Sequence, residues 1–537
     1  MAKFPEIITF PRINDPRGNL SFIEGGAGGS IPFDIKRVFY LYDVPADAER
    51  GGHAHYRCQQ LLIALSGSFN VKVTDGRTEK TFHLNRPWTG LLIPPGYWRT
   101  MDNFTSGAVC LVLTSEKYTE EDYIRDYQDF LRLSAEGKLG SREVGKPGSV
   151  EDEKTGSGGD EPVRYPFLDL GTINRTYLSE IEDAALRVIR SGRYIGGGEV
   201  ERFEGELRAF TGAPYAVGVS NGLDALRLIL RAWLEMGRLA PGDEVIVPSN
   251  TYIASVLAIT DNGLTPVFVE PDLATLNLDS ERVEAAVTPR TRAIMPVHLY
   301  GRVCWDATLA DTVRRHNLLV IEDNAQAIGA LSETPGLFGT IAAGSLGHAG
   351  AFSFYPTKNL GAMGDAGAVV THDPELARVV AALRNYGSLR QYDNIYAGLN
   401  CRLDPMQAAI LSAKMPHLAE ENRARRANAA IYLSEITNPL VALPAPAAAE
   451  TSVWHQFVVR VADRDAFRAY LAACGVETAV HYATVPHRQP CYSRYGSLSL
   501  PIAERIGREV VSLPVSSCTS EADAKAIAGI VNGFKNS

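Results

Sequence analysis

Residues 320–330, VIEDNAQAIGA, are a short apolar run that gives way to a carboxylate, polar residues and glycine. A strand buried on both faces reads as unbroken Val, Ile and Leu, and open α/β sheets carry their functional groups at the carboxyl ends of such strands. Asp323 holds that position. Working outward, apolar runs at 244–247, 266–269, 293–297 and 318–322 alternate with helical patterns at 177–191, 222–236 and 373–386. That alternation predicts a parallel α/β sheet. From about Val441, a strand at 454–461 mixed with helices predicts a smaller α+β subdomain.

The N-terminal part has a different rhythm. Alternating runs at 36–43, 61–65, 69–74 and 109–113, broken by Gly, Asp-Gly and Pro-Pro, predict a small all-β barrel closed by a helix near 120–133. Residues 140–161 are mostly Gly, Ser and charge, which cannot bury a core and read as a flexible linker. The expected division is a barrel at 1–135, a linker at 136–163 and the α/β unit with its subdomain at 164–537. Across 537 residues, 53 Lys and Arg face 62 Asp and Glu, a net charge of −9 that argues against nucleic-acid binding. No run approaches a membrane span and the N-terminus lacks a signal-peptide pattern, so a cytoplasmic protein with no membrane partner is expected. Seven cysteines without a CxxC pair fit reduced thiols rather than disulfides or structural zinc.

A second segment, GAFSFYPTKNLGAMGDAGAVV at 350–370, sets Lys358 among small and hydroxyl residues able to approach a phosphate. Burial beside a cationic ring lowers a lysine's pKa and makes it nucleophilic. Ser220-Asn221-Gly222 turns into a helix whose first amides can cradle a phosphate, and Tyr252 can stack on a ring. With MPVHLYG (295–301), GLNCRLDPMQAAIL (398–411) and AVHYATVPHRQPCY (479–492), these segments resemble, in order, the aspartate-aminotransferase fold and its DegT/DnrJ/EryC1/StrS sugar aminotransferases. The resemblance runs from about Tyr165 to Phe534 and implies pyridoxal 5′-phosphate as cofactor. It implies Lys358 as the Schiff-base lysine, Asp323 on the pyridine nitrogen, Gln326 on the ring's hydroxyl side, and Ser353 with Asn221 and Gly222 on the phosphate. Asn400 resembles a position that reaches the phosphate from a partner subunit, which implies at least a homodimer. Asn324 and Ala483 depart from the family's usual Ala and Pro. His298 and His481 stay open between packing and function.

In the barrel, GHAH at 52–55 with Gln60 and Gly67, then Gly90, PPG at 94–96, Arg99 and Asn103, resemble both cupin motifs. The four metal-ligand positions read His53, His55, Gln60 and Arg99. Gln is a poor ligand and Arg cannot deprotonate to coordinate, so no metal is expected. The histidines, two apart on a strand, share a face. RVFYLYDVPADAERGGHAHYRCQQ (37–60) and IPPGYWRTMDNF (93–104) are similar to nucleotide-sugar 3,4-ketoisomerases over residues 5–133. That likeness implies a proton shuttle on His53 with His55 close by, and Tyr40 and Arg50 as candidates for polarising the keto oxygen or binding the diphosphate. Tyr97 and Arg99 are expected as further substrate contacts. Phe39-Tyr40 replaces the family's Tyr-Tyr pair, leaving Tyr40, Tyr42 and Tyr97 as alternatives for the catalytic hydroxyl.

The two resemblances imply consecutive reactions. A dTDP-4-keto-6-deoxyglucose is isomerised to its 3-keto form and then aminated at C3 with an amino-acid donor, expected to be L-glutamate, to a dTDP-3-amino-3,6-dideoxyhexose. A second reading makes the barrel a non-catalytic sugar-nucleotide-binding module. A third pairs a 3,5-epimerase with a 4-aminotransferase, but such epimerases use a His-Asp base arrangement that no barrel motif supplies.

Overall fold

The computed structural model describes residues 4–135 and 164–535, except 16–17, 27–28, 42–43, 45–49, 106, 118, 120–121, 391–392 and 449, together with Leu139. The expected linker at 140–161 and the candidate Tyr42 lie outside the described residues. The chain forms two compact units, one on each side of that stretch.

Among the described residues the N-terminal unit has twelve strands: β1 (Glu6–Thr9), β2 (Arg12–Asp15), β3 (Gly18–Ser21), β4 (Arg37–Leu41), β5 (Arg50–His55), β6 (Gln60–Ser66), β7 (Phe69–Thr74), β8 (Glu79–Leu84), β9 (Thr89–Ile93), β10 (Trp98–Asp102), β11 (Val109–Thr114) and β12 (Tyr123–Ile124). Ten of them form two five-stranded antiparallel sheets, β1-β9-β6-β11-β4 and β12-β5-β10-β7-β8, and β2 pairs with β3. Alternation places the core: Phe69, Val71 and Val73 of β7 are fully buried while Lys72 between them is exposed. The helix expected at 120–133 begins only at Tyr127 and runs to Ala135. Tyr123 and Ile124 instead pair with His55 and Ala54. Ile124 packs with Ala54 and Phe130 in one small apolar cluster, and that burial draws the segment onto β5.

The C-terminal unit carries β13 (Tyr215–Val219), β14 (Glu244–Pro248), β15 (Thr265–Val269), β16 (Thr291–Ile294), β17 (Leu319–Asp323), β18 (Ala349–Ser353) and β19 (Gly367–Thr371). They form one seven-stranded sheet in the order β13-β19-β18-β17-β16-β14-β15. Strands β18, β17, β16, β14 and β15 pair in parallel, as the apolar runs predict. β19 runs antiparallel to both of its neighbours. The β18–β19 connection holds no crossover helix, and a return without one leaves only the antiparallel direction. That connection carries Lys358. The helix Gly222–Glu235 lays Leu228, Ile229, Ala232 and Trp233, all fully buried, into the core beside the sheet. The subdomain has a three-stranded sheet, Val441–Ala442, Phe457–Val461 and Val510–Leu513. Its central strand starts three residues later than the sequence predicts, because Trp454 takes a φ of 44°, outside the extended region. Among the described residues no helix is long and apolar enough to cross a membrane.

Candidate active sites

In the C-terminal unit a cavity of about 520 Å³ opens at the carboxyl ends of the strands, lined by Lys358, Asp323, Gln326, Ser353, Asn221, Gly222 and Tyr252 among others. Strand alternation decides which of two adjacent carboxylates reaches it. Glu322 turns to the opposite side of β17, where its oxygens accept the amides of Gly344, Leu346 and Gly347 and the imidazole of His298. Asp323 faces the cavity, oriented by the Ser255 hydroxyl (2.8 Å) and the Ala325 amide (3.1 Å). Burial pushes the Lys358 amine down to about 8, against the opposing pull of Asp323. Asn221 spends its side chain on capping its helix, accepting from the Asp224 amide at 2.8 Å and donating to the Asp224 carboxylate at 3.0 Å. The first helical amides, which have no partner inside the helix, face the cavity end. A Cβ at Gly222 would lie 2.6 Å from that of Ser353, so helix and strand end close into a cradle only a glycine permits. These features fit a pyridine ring with a phosphate.

Gln326 lines the cavity with both ends of its amide engaged, accepting from the Tyr300 amide (2.5 Å) and donating to the Tyr482 hydroxyl (3.1 Å). Tyr482 in turn lies against Tyr252, ring centroids 5.0 Å apart. Asn400 is exposed and outside this cavity, its backbone bridged to Asn385. His298, fully buried between Glu322 and the Cys304 amide, is a core histidine. His481 does line the cavity, where burial and the nearby lysine push it down to about 4. Sequence reasoning missed His455. Asn359 donates to Asn422 and to the Val453 carbonyl, so its oxygen accepts the His455 Nδ1–H at 3.0 Å. His455 therefore meets the cavity as a neutral ring, its pKa driven down by burial and then by Lys358. Only the neighbouring Lys358-Asn359 pair could have signalled it, since SVWHQF carries no pattern of its own.

In the barrel, β5 presents both histidines to one network whose proton positions are fixed by its ends. Arg99 can only donate and Asp122 can only accept. Arg99 Nη2 reaches His53 Nε2 at 3.2 Å, so the His53 proton sits on Nδ1 and goes to the Gly51 carbonyl at 2.7 Å. Arg99 Nε donates to Gln60 Oε1 (2.7 Å), and Gln60 Nε2 donates to His55 Nε2 (2.9 Å). His55 Nδ1–H then goes to Asp122 at 3.0 Å, a carboxylate that also accepts the amides of Arg57 and Cys58. The histidines are not equivalent. Burial, then Arg99, pushes His53 down to about 3. His55 is lowered by burial but supported by Asp122. His55 is the histidine with a carboxylate on its Nδ1 side, and His53 has only a backbone carbonyl there.

Asp122 supplies a His-Asp pair that no barrel motif shows in the sequence. It comes from 67 residues downstream, delivered by β12, and no local motif announces it. Tyr40 is not brought to the histidines: on β4 it alternates outward between Phe39 and Leu41, which pack on the core, and is 60% exposed. The aromatic ring at the pair is Tyr123, with centroids 4.9 Å from His53 and 4.3 Å from His55. Tyr97 is buried in the residue immediately before β10, edge-on to Phe4. Arg50 is exposed at the start of β5. His55, Cys58 and Asp122 place ligand atoms within 4.8 Å, the one such group among the described residues. Protons already satisfy it, through the His55 N–H and the two amides on Asp122, and burial raises the Cys58 thiol.

A lysine whose pKa burial lowers to about 8, set with a strand-end aspartate at a helix-capped cradle, defines a pyridoxal-phosphate-dependent aminotransferase. Residues 176–532 match the DegT/DnrJ/EryC1/StrS aminotransferase family, and the chain belongs to it. Residues 3–135 match the family described as WxcM-like, C-terminal. The chain is 50% identical over 369 residues to the dTDP-3-amino-3,6-dideoxy-alpha-D-galactopyranose transaminase of Aneurinibacillus thermoaerophilus, a match covering 69% of this chain and 99% of that one. The crystal structure of S. venezuelae DesV with a ketimine intermediate matches at 45% identity and a TM-score of 0.65, covering 69% of this chain and 98% of that one. Bacillus subtilis NtdA with bound cofactor PMP matches at 27% identity and a TM-score of 0.63, covering 75% and 97%.

Proposed function

We propose that the chain is bifunctional: the barrel isomerises dTDP-4-keto-6-deoxyglucose to its 3-keto form, and the C-terminal unit aminates C3, with L-glutamate as donor, to give a dTDP-3-amino-3,6-dideoxyhexose. The observation that carries this reading is the pairing, on one chain, of the Asp122-backed histidine network with the Lys358 cavity. A transaminase acting at C3 requires a 3-keto sugar, and a base beside a 4-keto sugar produces one without a redox cofactor. The relative named for a 3-amino-3,6-dideoxy sugar supports the position of amination.

In this reading His55 Nε2 takes the C3 proton and returns it to C4, while Asp122 holds the ring's orientation and tautomer. In the other unit, bound pyridoxal phosphate supplies an electron sink and an exchangeable amino group. Asp323 holds the proton of the ring nitrogen, fixed in turn by Ser255. Ser353 and the amides following Asn221 would hold the phosphate, and Tyr252 would pack against the ring. Lys358 Nζ carries the proton to and from the sugar's C3. The working assembly is at least a homodimer, with Asn400 reaching the partner's phosphate.

The test is incubation of the purified chain with dTDP-4-keto-6-deoxyglucose, pyridoxal phosphate and glutamate, followed by NMR location of the new nitrogen. Nitrogen at C3 is expected. Nitrogen at C4 would overturn the isomerase half and leave the barrel as a binding module; no transfer would overturn the substrate assignment.

A further inference from the structure

Arg99 is 97% buried by its 3% exposure, yet its hydrogen-bond partners are Gln60, the Met101 sulfur and His53, none of them anionic. Among the described residues no carboxylate forms an ion pair with it. A buried guanidinium without a counter-charge is costly, and sites retain such charges where a ligand brings the opposite one. Its position adds a second fact. Arg99 donates to His53 Nε2 through one nitrogen and to Gln60 Oε1 through another, and Gln60 occupies His55 Nε2. Both imidazole lone pairs are therefore closed, that of His53 by Arg99 itself and that of His55 by Gln60, whose amide oxygen Arg99 holds.

Resting on the isomerase reading of the barrel, we infer that Arg99 is a catalytic residue that turns from His53 and Gln60 to bind the oxyanion forming on the substrate, and so releases the Gln60 amide to leave His55 Nε2 as the charge develops. The step balances without an oxidant. The C3–H bond breaks and its proton goes to His55 Nε2. The electron pair becomes the C3=C4 bond, and the C4 carbonyl becomes an oxyanion that accepts N–H bonds from Arg99. The O3 proton then passes to O4, C3–O becomes the carbonyl, and the His55 proton is delivered to C4. The substrate class is a keto sugar whose carbonyl lies next to a C–H bearing a hydroxyl. A bare diphosphate does not qualify, because it offers no developing charge at the base.

The experiment compares the full chain with its Arg99→Met and Arg99→Lys variants, following isomerisation of dTDP-4-keto-6-deoxyglucose and deuterium uptake at C3 and C4 by NMR in D2O. Arg99→Met is expected to lose about 100-fold in kcat with KM changed by less than about threefold, the pattern of an interaction made only in the transition state. Arg99→Lys should recover about tenfold of that loss, because it returns a cation. Retained kcat, a rise in KM alone, or a lysine variant no better than methionine would each overturn the role. Should Arg99→Met fail to fold, Arg99→Gln provides a neutral, hydrogen-bonding replacement with the same expected loss. A wild-type chain that does not isomerise removes the isomerase reading and this inference together. A wild-type chain that isomerises beside an active Arg99→Met removes the inference alone.

Discussion

Two side chains, one in each unit, respond to pH in the same sense but in different windows. Burial resists ionisation of Asp122, but the His55 N–H and the amides of Arg57 and Cys58 outweigh it and hold its pKa below the ordinary carboxylate value. A folded-state pKa below the unfolded one gives stability that is present above about pH 4 and is lost as pH falls through the folded value. Asp122→Asn leaves one of those N–H donors facing an NH2 group, at a cost of about 1–3 kcal/mol. Thermal melts of the variant should therefore fall below wild type at neutral pH and converge with it in acid, and isomerisation should drop about 100-fold. Lys358 follows the same direction at higher pH. With its amine near 8, cofactor attachment followed by visible absorbance should speed up about tenfold per pH unit toward pH 8 and level off above it. A flat profile between pH 6 and 8 would mean the amine is already free.

Elements decide which of these residues meet. Gly222 stands where the helix start touches β18, so Gly222→Ala must push Ser353 or the helix away. Cofactor affinity measured by equilibrium dialysis should fall about tenfold or more, with about 1–3 kcal/mol of destabilisation from overpacking. The same contrast explains what was legible beforehand. The apolar run ending in Asp323 is local, because strand, carboxylate and turn follow one another in the chain, and the Lys358 segment is equally compact. The expected strand at 69–74 has its observed bounds because its alternation is undisturbed. Asp122 and His455 were not legible, since each gains its meaning from a partner distant in sequence: β5 for one, Asn359 for the other. Tyr40 was misplaced for a related reason. A motif gives residue identity, whereas the side on which a strand residue emerges follows from Phe39 and Leu41 claiming the core.

At the scale of the whole chain, each unit holds a complete hydrogen-bonded constellation built from its own residues. Lys358→Ala should accordingly abolish amination and the visible band of lysine-bound cofactor while isomerisation continues at the wild-type rate. His55→Asn should do the reverse, stopping isomerisation while the band persists. Joint loss of both activities in either variant would contradict two separate centres. The late docking of β12 on β5 also has a consequence in time. Ribosomes release the chain N-terminus first at about 5–20 residues per second, so the 67 residues between His55 and Asp122 separate their appearance by about 3–13 s. Until then a nascent barrel holds histidines, glutamine and arginine without the carboxylate that backs the base. On the proposed isomerase reading, competence comes with the residue just ahead of β12, so a chain interrupted before residue 122 would be born inert rather than half-active.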